Sequence, residues 1–271
     1  MKINCILNGL IVFVFLQLAI ACSNNNNLNP AIPPPSFDYA LTSEENIDSY
    51  IDQLIKNESG PGISIAVVKD NAVVVRKSYG LANIEDQIAI SSDTPFYLAS
   101  VSKQFTAMAV MILGEKGLLT YDEKLSTYLP DTPNEWKKIT VHYLLTHQSG
   151  IPNYANLPGF SIEQVTNTDV LEKLIENRVL NFTPGERFSY SNSGYIALSH
   201  IIESVSGQSL GSFLKEEIFD PLEMTNSIVY DESTPDINNK VIGYKSNADG
   251  SYSLRDYNQL TTGPGGIYSM I

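Results

Sequence analysis

Phe96-Tyr97-Leu98-Ala99-Ser100-Val101-Ser102-Lys103-Gln104-Phe105-Thr106-Ala107 runs from aromatic, strand-forming residues into an apolar helical repeat. Phe105, Met108, Ala109, Ile112 and Leu113 recur at helical spacing and Gly117 supplies a stop near Lys116, so a long helix buried on one side is expected after Ser100. On such a helix Ser100 and Lys103 share a face, which lets the lysine amine approach the serine hydroxyl. A hydroxyl is a weak nucleophile at neutral pH, and an amine held neutral by desolvation can accept its proton. The helix start adds unpaired N–H groups and a positive field that suits a developing oxyanion. A plain capping role for Ser100 uses the same position and stays open at this point.

Spacing alone does not choose between the two. Ser212-Phe213-Leu214-Lys215 repeats the pattern inside a predicted amphipathic helix, where Ser212 is expected to have no free helix N-terminus, while Ser102 has no lysine three residues on. A second candidate is Tyr190-Ser191-Asn192, expected on a loop after Pro184-Gly185-Glu186 and before a helix starting near Gly194. A phenol between cations can act as acid or base, and an Asn amide offers a donor and an acceptor to a substrate amide. Tyr154-Ala155-Asn156 has the same spacing, so this tripeptide is also unspecific by itself.

Around these blocks the chain alternates in character. The apolar positions Ile47, Tyr50, Ile51, Leu54 and Ile55 fit a helix capped by Thr42 or Ser43. Residues 63–68 and 72–79 are β-branched runs joined at Lys69-Asp70-Asn71, a hairpin of a half-buried antiparallel sheet, and residues 80–95 read mostly as loop. Helices are expected at 140–145, 169–177, 194–206 and 210–219, separated by Pro and Gly. A sheet followed by a mostly helical body is an α+β fold of two lobes.

The N-terminus reads as targeting rather than fold. Lys2 precedes an apolar stretch over residues 6–21 that is broken by Asn8, Gly9 and Gln17 and is shorter than the roughly 20 residues that cross a bilayer. Leu18-Ala19-Ile20-Ala21-Cys22 resembles a bacterial lipoprotein box, so residues 1–21 are expected to be a signal peptide and Cys22 the lipidated first residue. That predicts an exported protein of the cell envelope, anchored by lipid to a bacterial membrane. Residues 22–37, with four consecutive asparagines and Pro33-Pro34-Pro35, read as a disordered tether, leaving 38–271 as the domain.

Composition narrows the partners. Of the 271 residues, 43% are hydrophobic and 17% charged, a globular mixture, and 17 basic against 30 acidic side chains give a net charge of -13. Such a balance argues against nucleic acid, whose phosphates need clustered cations. Cleavage before Cys22 would remove Cys5 and leave one cysteine, which excludes an internal disulfide and a thiolate metal cluster. His142, His147 and His200 do not form a helical metal pair, and neither a metal nor another cofactor is expected. Asp122 and Glu123 are expected to cap or solvate the segment after Gly117, and Gly263-Pro264-Gly265-Gly266 lacks the lysine of a phosphate loop.

Three blocks in order then carry a resemblance. Residues 96–107, Ile139-Thr140-Val141-His142-Tyr143-Leu144-Leu145-Thr146-His147-Gln148-Ser149-Gly150-Ile151, and Phe182-Thr183-Pro184-Gly185-Glu186-Arg187-Phe188-Ser189-Tyr190-Ser191-Asn192 together look like the serine β-lactamase-related family. That group contains class C β-lactamases, D-alanyl-D-alanine carboxypeptidases and related esterases. The resemblance implies a β-lactamase/transpeptidase-like fold in which Ser100 forms the acyl-enzyme, Lys103 shuttles its proton, Tyr190 serves as general base and Asn192 binds the substrate amide. It makes the block around His147 structural, and residues 263–266 a turn leading into a helix.

The family's third motif, Lys-Thr-Gly or His-x-Gly on a later strand, does not occur in these residues. The resemblance therefore implies that later sheet strands and a second oxyanion donor are missing, and that the chain is incomplete at its C-terminus. The expected activity is a serine hydrolase acting through an acyl-enzyme on a small-molecule or peptide substrate with an ester, peptide or β-lactam-like carbonyl. Its rivals are a true antibiotic-degrading β-lactamase and a non-catalytic binder of cell-wall peptides that keeps the cleft without turnover.

Overall fold

A computed structural model describes residues 44–54, 60–158, 160, 165–255 and 260–271. The expected signal peptide, Cys22, the tether over 22–37, the caps Thr42 and Ser43, and Ile55 lie outside the described residues. In chain order the strands are β1 (Ile63–Lys69), β2 (Ala72–Tyr79), β3 (Leu81–Asn83), β4 (Ile88–Ala89), β5 (Phe96–Tyr97), β6 (Ile228–Val229), β7 (Tyr244–Ser246), β8 (Tyr252–Leu254) and β9 (Ile267–Ser269). The α-helices are α1 (Glu44–Leu54), α2 (Lys103–Glu115), α3 (Leu125–Tyr128), α4 (Val141–Leu145), α5 (Asn167–Asn177), α6 (Asn192–Ser206) and α7 (Leu210–Leu214). They divide between two compact units, Met1–Thr94 with Val241–Arg255 and Ile271, and Pro95–Lys240 with Asp256–Met270.

The first unit is built on hairpins. β1 and β2 pair antiparallel with Ile63 opposite Tyr79 and Lys69 opposite Ala72. Asp70 and Asn71 both adopt positive φ, 51° and 62°. Two left-handed residues in a two-residue connection match the right-handed twist of the flanking strands, and Asp and Asn tolerate that conformation better than most side chains. The register shifts once, between Val67 and Val68. α1 is tied to β2 through Asp48, whose carboxylate accepts from Lys77 Nζ and Tyr79 OH, each at 2.6 Å. Residues 80–95 hold more order than a loop, because β3 and β4 form a second hairpin there. β7 and β8 form a third, and Tyr244 OH accepts from the Ile84 backbone N–H at 2.8 Å.

The second unit is organised around α6, which packs against α2, α3, α4, α5 and α7. Its residues Ser193 to Ser199 are buried without a break, so this helix is covered all round rather than amphipathic. Gly194 belongs there: a Cβ would sit 3.4 Å from the Leu144 carbonyl oxygen, so its absence lets the α4 backbone come close. Thr140 caps α4 by accepting from Tyr143 N, and a reciprocal Thr166–Asp169 capping box starts α5 at Asn167, two residues before the expected start. Glu123 accepts from Lys124 N and Thr127 Oγ1 at the start of α3, a capping contact.

Three sequence expectations are corrected in this unit. A 3₁₀ turn, Ala99–Ser102, precedes α2, and the buried face of α2 is Lys103, Thr106, Ala109, Val110 and Leu113, leaving Met108 47% exposed. Ala109 and Leu113 are buried and Phe105 and Ile112 pack against the core as expected, so apolar periodicity errs at Met108 and passes over Lys103 and Thr106 because they are polar. The Gly263–Gly266 run leads into strand β9 rather than a helix: Ile267, Tyr268 and Ser269 are buried between β5 and β6 in an antiparallel three-stranded sheet. A three-residue strand is too short to show a period of two. The helix expected over 210–219 is α7 followed by a π-helical turn, Lys215–Phe219.

Candidate active site

Burying polar residues on α2 has a local cause. The consecutive carbonyls of Gly263 and Pro264 face the helix; Thr106 Oγ1 donates to the first and Lys103 Nζ to the second, each at 2.8 Å. Gly263, at φ 96°, allows this approach, since a Cβ there would lie 2.5 Å from the Tyr195 carbonyl oxygen. Two consecutive helical turns thereby hold one loop against the helix start.

Lys103 is 8% exposed and reaches three acceptors: the Pro264 carbonyl, Asn192 Oδ1 at 2.8 Å and Ser100 Oγ at 3.2 Å. None of the three carries a charge. Its ammonium also lies over the Tyr190 and Tyr195 rings, 4.9 and 5.5 Å from their centroids. Such neutral company does not compensate for lost water, and desolvation lowers the amine from its ordinary 10.5 to about 8. At pH 7 about a tenth of the lysine is neutral.

Ser100 is exposed, in the 3₁₀ turn, one residue after Ala99, whose backbone is left-handed at φ 46°. Its hydroxyl accepts from Lys103 Nζ and from Tyr190 OH, the latter at 2.9 Å. That turn has no side-chain cap, so the capping role left open by the sequence is not what this hydroxyl does. Tyr190, 46% exposed, sits on the loop before α6. Asn192 is the first residue of α6 rather than a loop residue, so its backbone is fixed by helix geometry while its amide faces Lys103.

The four residues singled out by sequence thus come together, and the three decoys do not join them. Ser212 lies in the first turn of α7, not inside the helix as expected, but its partner is Ser209, and Lys215 is paired with both Asp220 carboxylate oxygens. Tyr154 is 4% exposed and turns its hydroxyl toward Thr261. Ser102 is fully buried and accepts from Ile267 N. The Pro264 carbonyl was not foreseen, since a main-chain acceptor leaves no side-chain signature. Among the described residues no group of three His, Cys, Asp or Glu side chains is placed to hold a metal, and no helix is long and apolar enough to cross a membrane.

A serine, a lysine of lowered pKa and a tyrosine in mutual contact on a β-lactamase/transpeptidase-like fold define a class. The chain matches the family model described as Beta-lactamase over residues 47–271, and it belongs to that family. It is 34% identical over 173 residues to penicillin-binding protein 4* of Bacillus subtilis (strain 168), an alignment covering 62% of this chain and 38% of that protein. Protein flp of Staphylococcus aureus (strain COL) is 29% identical over 189 residues, 68% of this chain and 38% of that protein. Among solved structures, the octameric penicillin-binding protein homologue from Pyrococcus abyssi is similar with a TM-score of 0.73 at 30% identity, over 83% of this chain and 53% of that one. The chain therefore spans about two fifths of the length of the curated relatives it matches.

Proposed function

We propose that this chain is a serine acyl-transfer hydrolase whose nucleophile is Ser100. The observation that carries the reading is the pair of contacts on one hydroxyl, Lys103 Nζ at 3.2 Å and Tyr190 OH at 2.9 Å, with the amine brought by burial to about 8. When Lys103 is neutral, its lone pair can accept the Ser100 proton, reversing the direction of that hydrogen bond. Oγ then bonds to the substrate carbonyl carbon. Lys103 and Tyr190 carry the proton to the leaving group as its bond to that carbon breaks, which leaves an ester on Ser100. Water attacks the ester, with Tyr190 as general base, and regenerates the serine. Asn192 has its oxygen committed to Lys103, so its NH₂ is the group available to a substrate carbonyl.

Esters, amides and β-lactams all react by this addition, and the catalytic set does not distinguish them. We propose an ester or a D-aminoacyl peptide as substrate, drawing on the penicillin-binding relatives. Incubation with p-nitrophenyl butyrate, a D-alanyl p-nitroanilide and a chromogenic cephalosporin is expected to give a burst of one nitrophenol or nitroaniline per protein, with little cephalosporin turnover. Steady cephalosporin hydrolysis faster than ester turnover would overturn the substrate assignment, and ester or anilide turnover that persists undiminished in Ser100→Ala would overturn the acyl-enzyme.

Export and lipid anchoring at Cys22 are also proposed, supported by Leu18-Ala19-Ile20-Ala21-Cys22. Radiolabelled palmitate is expected in the membrane-bound product and absent from a Cys22→Ser variant; equal label in both would remove the anchor.

A further inference from the structure

His147 stands outside the catalytic set yet lies against Tyr190. Its backbone is left-handed, φ 57°, and from that kink residues 147–150 run beside the loop that carries Tyr190. Three main-chain bonds join the two segments: Ser189 N to His147 O at 2.8 Å, Gly185 N to Gln148 O at 2.9 Å, and Asn181 N to Gly150 O at 2.8 Å. A fourth comes from the side chain, for His147 Nδ1 accepts the Ser191 backbone N–H at 3.3 Å. The imidazole lies 4.5 Å from the Tyr190 ring centroid and 5.2 Å from that of Tyr195, with Phe188 edge-on at 5.7 Å.

We infer that His147 is a positioning residue: its neutral imidazole, held as an acceptor at Nδ1 and lying tilted against the Tyr190 ring, fixes the phenol at hydrogen-bond distance from Ser100. The inference rests on the acyl-enzyme reading above and adds a residue to it. Two requirements meet at this position. The backbone must tolerate a positive φ, and the side chain must present an acceptor to Ser191 N. A neutral imidazole supplies the second, and His is among the residues enriched in the left-handed region.

Protonation would defeat the arrangement, because the imidazolium has donors at both nitrogens and would face Ser191 N–H with a donor of its own. The titratable groups facing the ring are Lys103 from α2, Tyr190 from its loop and Tyr195 from α6. Burial and the Lys103 charge both hold the imidazole below its ordinary 6.5, so the neutral form persists at neutral pH. Two protons then govern the hydroxyl at different pH values, one on Lys103 near 8 and one on His147 well below it.

The test uses a rhodamine-tagged alkyl fluorophosphonate on the full chain. Its phosphorus bonds to Ser100 Oγ as fluoride leaves, so the readout needs no turnover. Two variants separate the roles of the ring: His147→Asn keeps a short acceptor and a side chain suited to the left-handed backbone, and His147→Leu keeps bulk without the acceptor. The expected result is a limiting labelling rate within about threefold of wild type for Asn and about 10- to 100-fold lower for Leu, with half-saturating probe concentration unchanged, the general range for a misplaced acid–base group. Equal rates in both variants and wild type, or equal losses in both, would overturn the inference.

Wild-type protein gives an independent reading should the Leu variant fail to fold. Its labelling rate is expected to fall tenfold per pH unit below about 8 and more steeply than that where His147 also protonates. In His147→Asn the tenfold slope should continue. A single slope in wild type overturns the positioning role while leaving Ser100 as nucleophile, whereas wild type that takes no label, or takes it elsewhere, overturns the acyl-enzyme reading itself.

Discussion

Ser100→Ala is expected to fold normally and to lose fluorophosphonate labelling by on the order of 10⁴-fold or more, to the background of the unreactive surface serines. Ser100 is exposed and caps no helix, so removing its oxygen deletes two hydrogen bonds at the mouth of the site and no packing. A denaturant midpoint close to wild type, measured on the same sample, shows that the loss is chemical. Ser212→Ala is the matched control, because Ser212 has the same spacing to a lysine and none of the contacts. Labelling that survives in Ser100→Ala, or disappears in Ser212→Ala, would move the nucleophile elsewhere.

The second large effect belongs to Lys103. Replacing it by methionine is expected to lower the labelling rate about 10³-fold at pH 8, since the hydroxyl loses its proton acceptor, and to remove the rise in rate with pH centred near 8. Stability should respond differently. A lysine titrating at about 8 when folded and 10.5 when unfolded is protonated more readily in the unfolded chain between those values. Wild-type stability is therefore lowest below about 8 and recovers as the pH climbs toward 10.5, by about 3 kcal/mol in all.

Methionine removes that penalty at neutral pH but strands the Asn192 and Pro264 oxygens, at about 1–3 kcal/mol each. The opposing effects are of similar size, so the variant should stay within about 2 kcal/mol of wild type at pH 7, with a flatter pH profile of stability. A steep recovery between pH 8 and 10 in the methionine variant would show that another group is responsible.

Much of this arrangement was legible in the chain. Ser100 and Lys103 are three apart on one helical path, a relation that local geometry alone dictates, and Tyr190 and Asn192 flank the start of a strongly apolar segment. The long helices and the Asp70-Asn71 hairpin follow from the same local rules. What escaped was decided by distant contacts. Lys103 and Thr106 are buried because two carbonyls more than 150 residues away need donors, and no periodicity in α2 carries that information. Strand β9 exists because β5 and β6 lie on either side of it. His147 reads as part of a structural block, and the hydrogen bond its ring accepts from Ser191 N, 44 positions on, has no signature in the sequence.

The three acceptors of the Lys103 amine lie 3, 89 and 161 positions from it along the chain, and the Ser100–Tyr190 bond spans 90. Closing such long loops is entropically costly, whereas the Ser100–Lys103 pair is local. In the unfolded chain the amine titrates at its ordinary 10.5 and the hydroxyl is that of any serine. On the proposed acyl-enzyme reading, the lowered amine and the Tyr190 contact both depend on distant segments, so the nucleophile is a property of the folded chain rather than of the Ser100–Lys103 spacing.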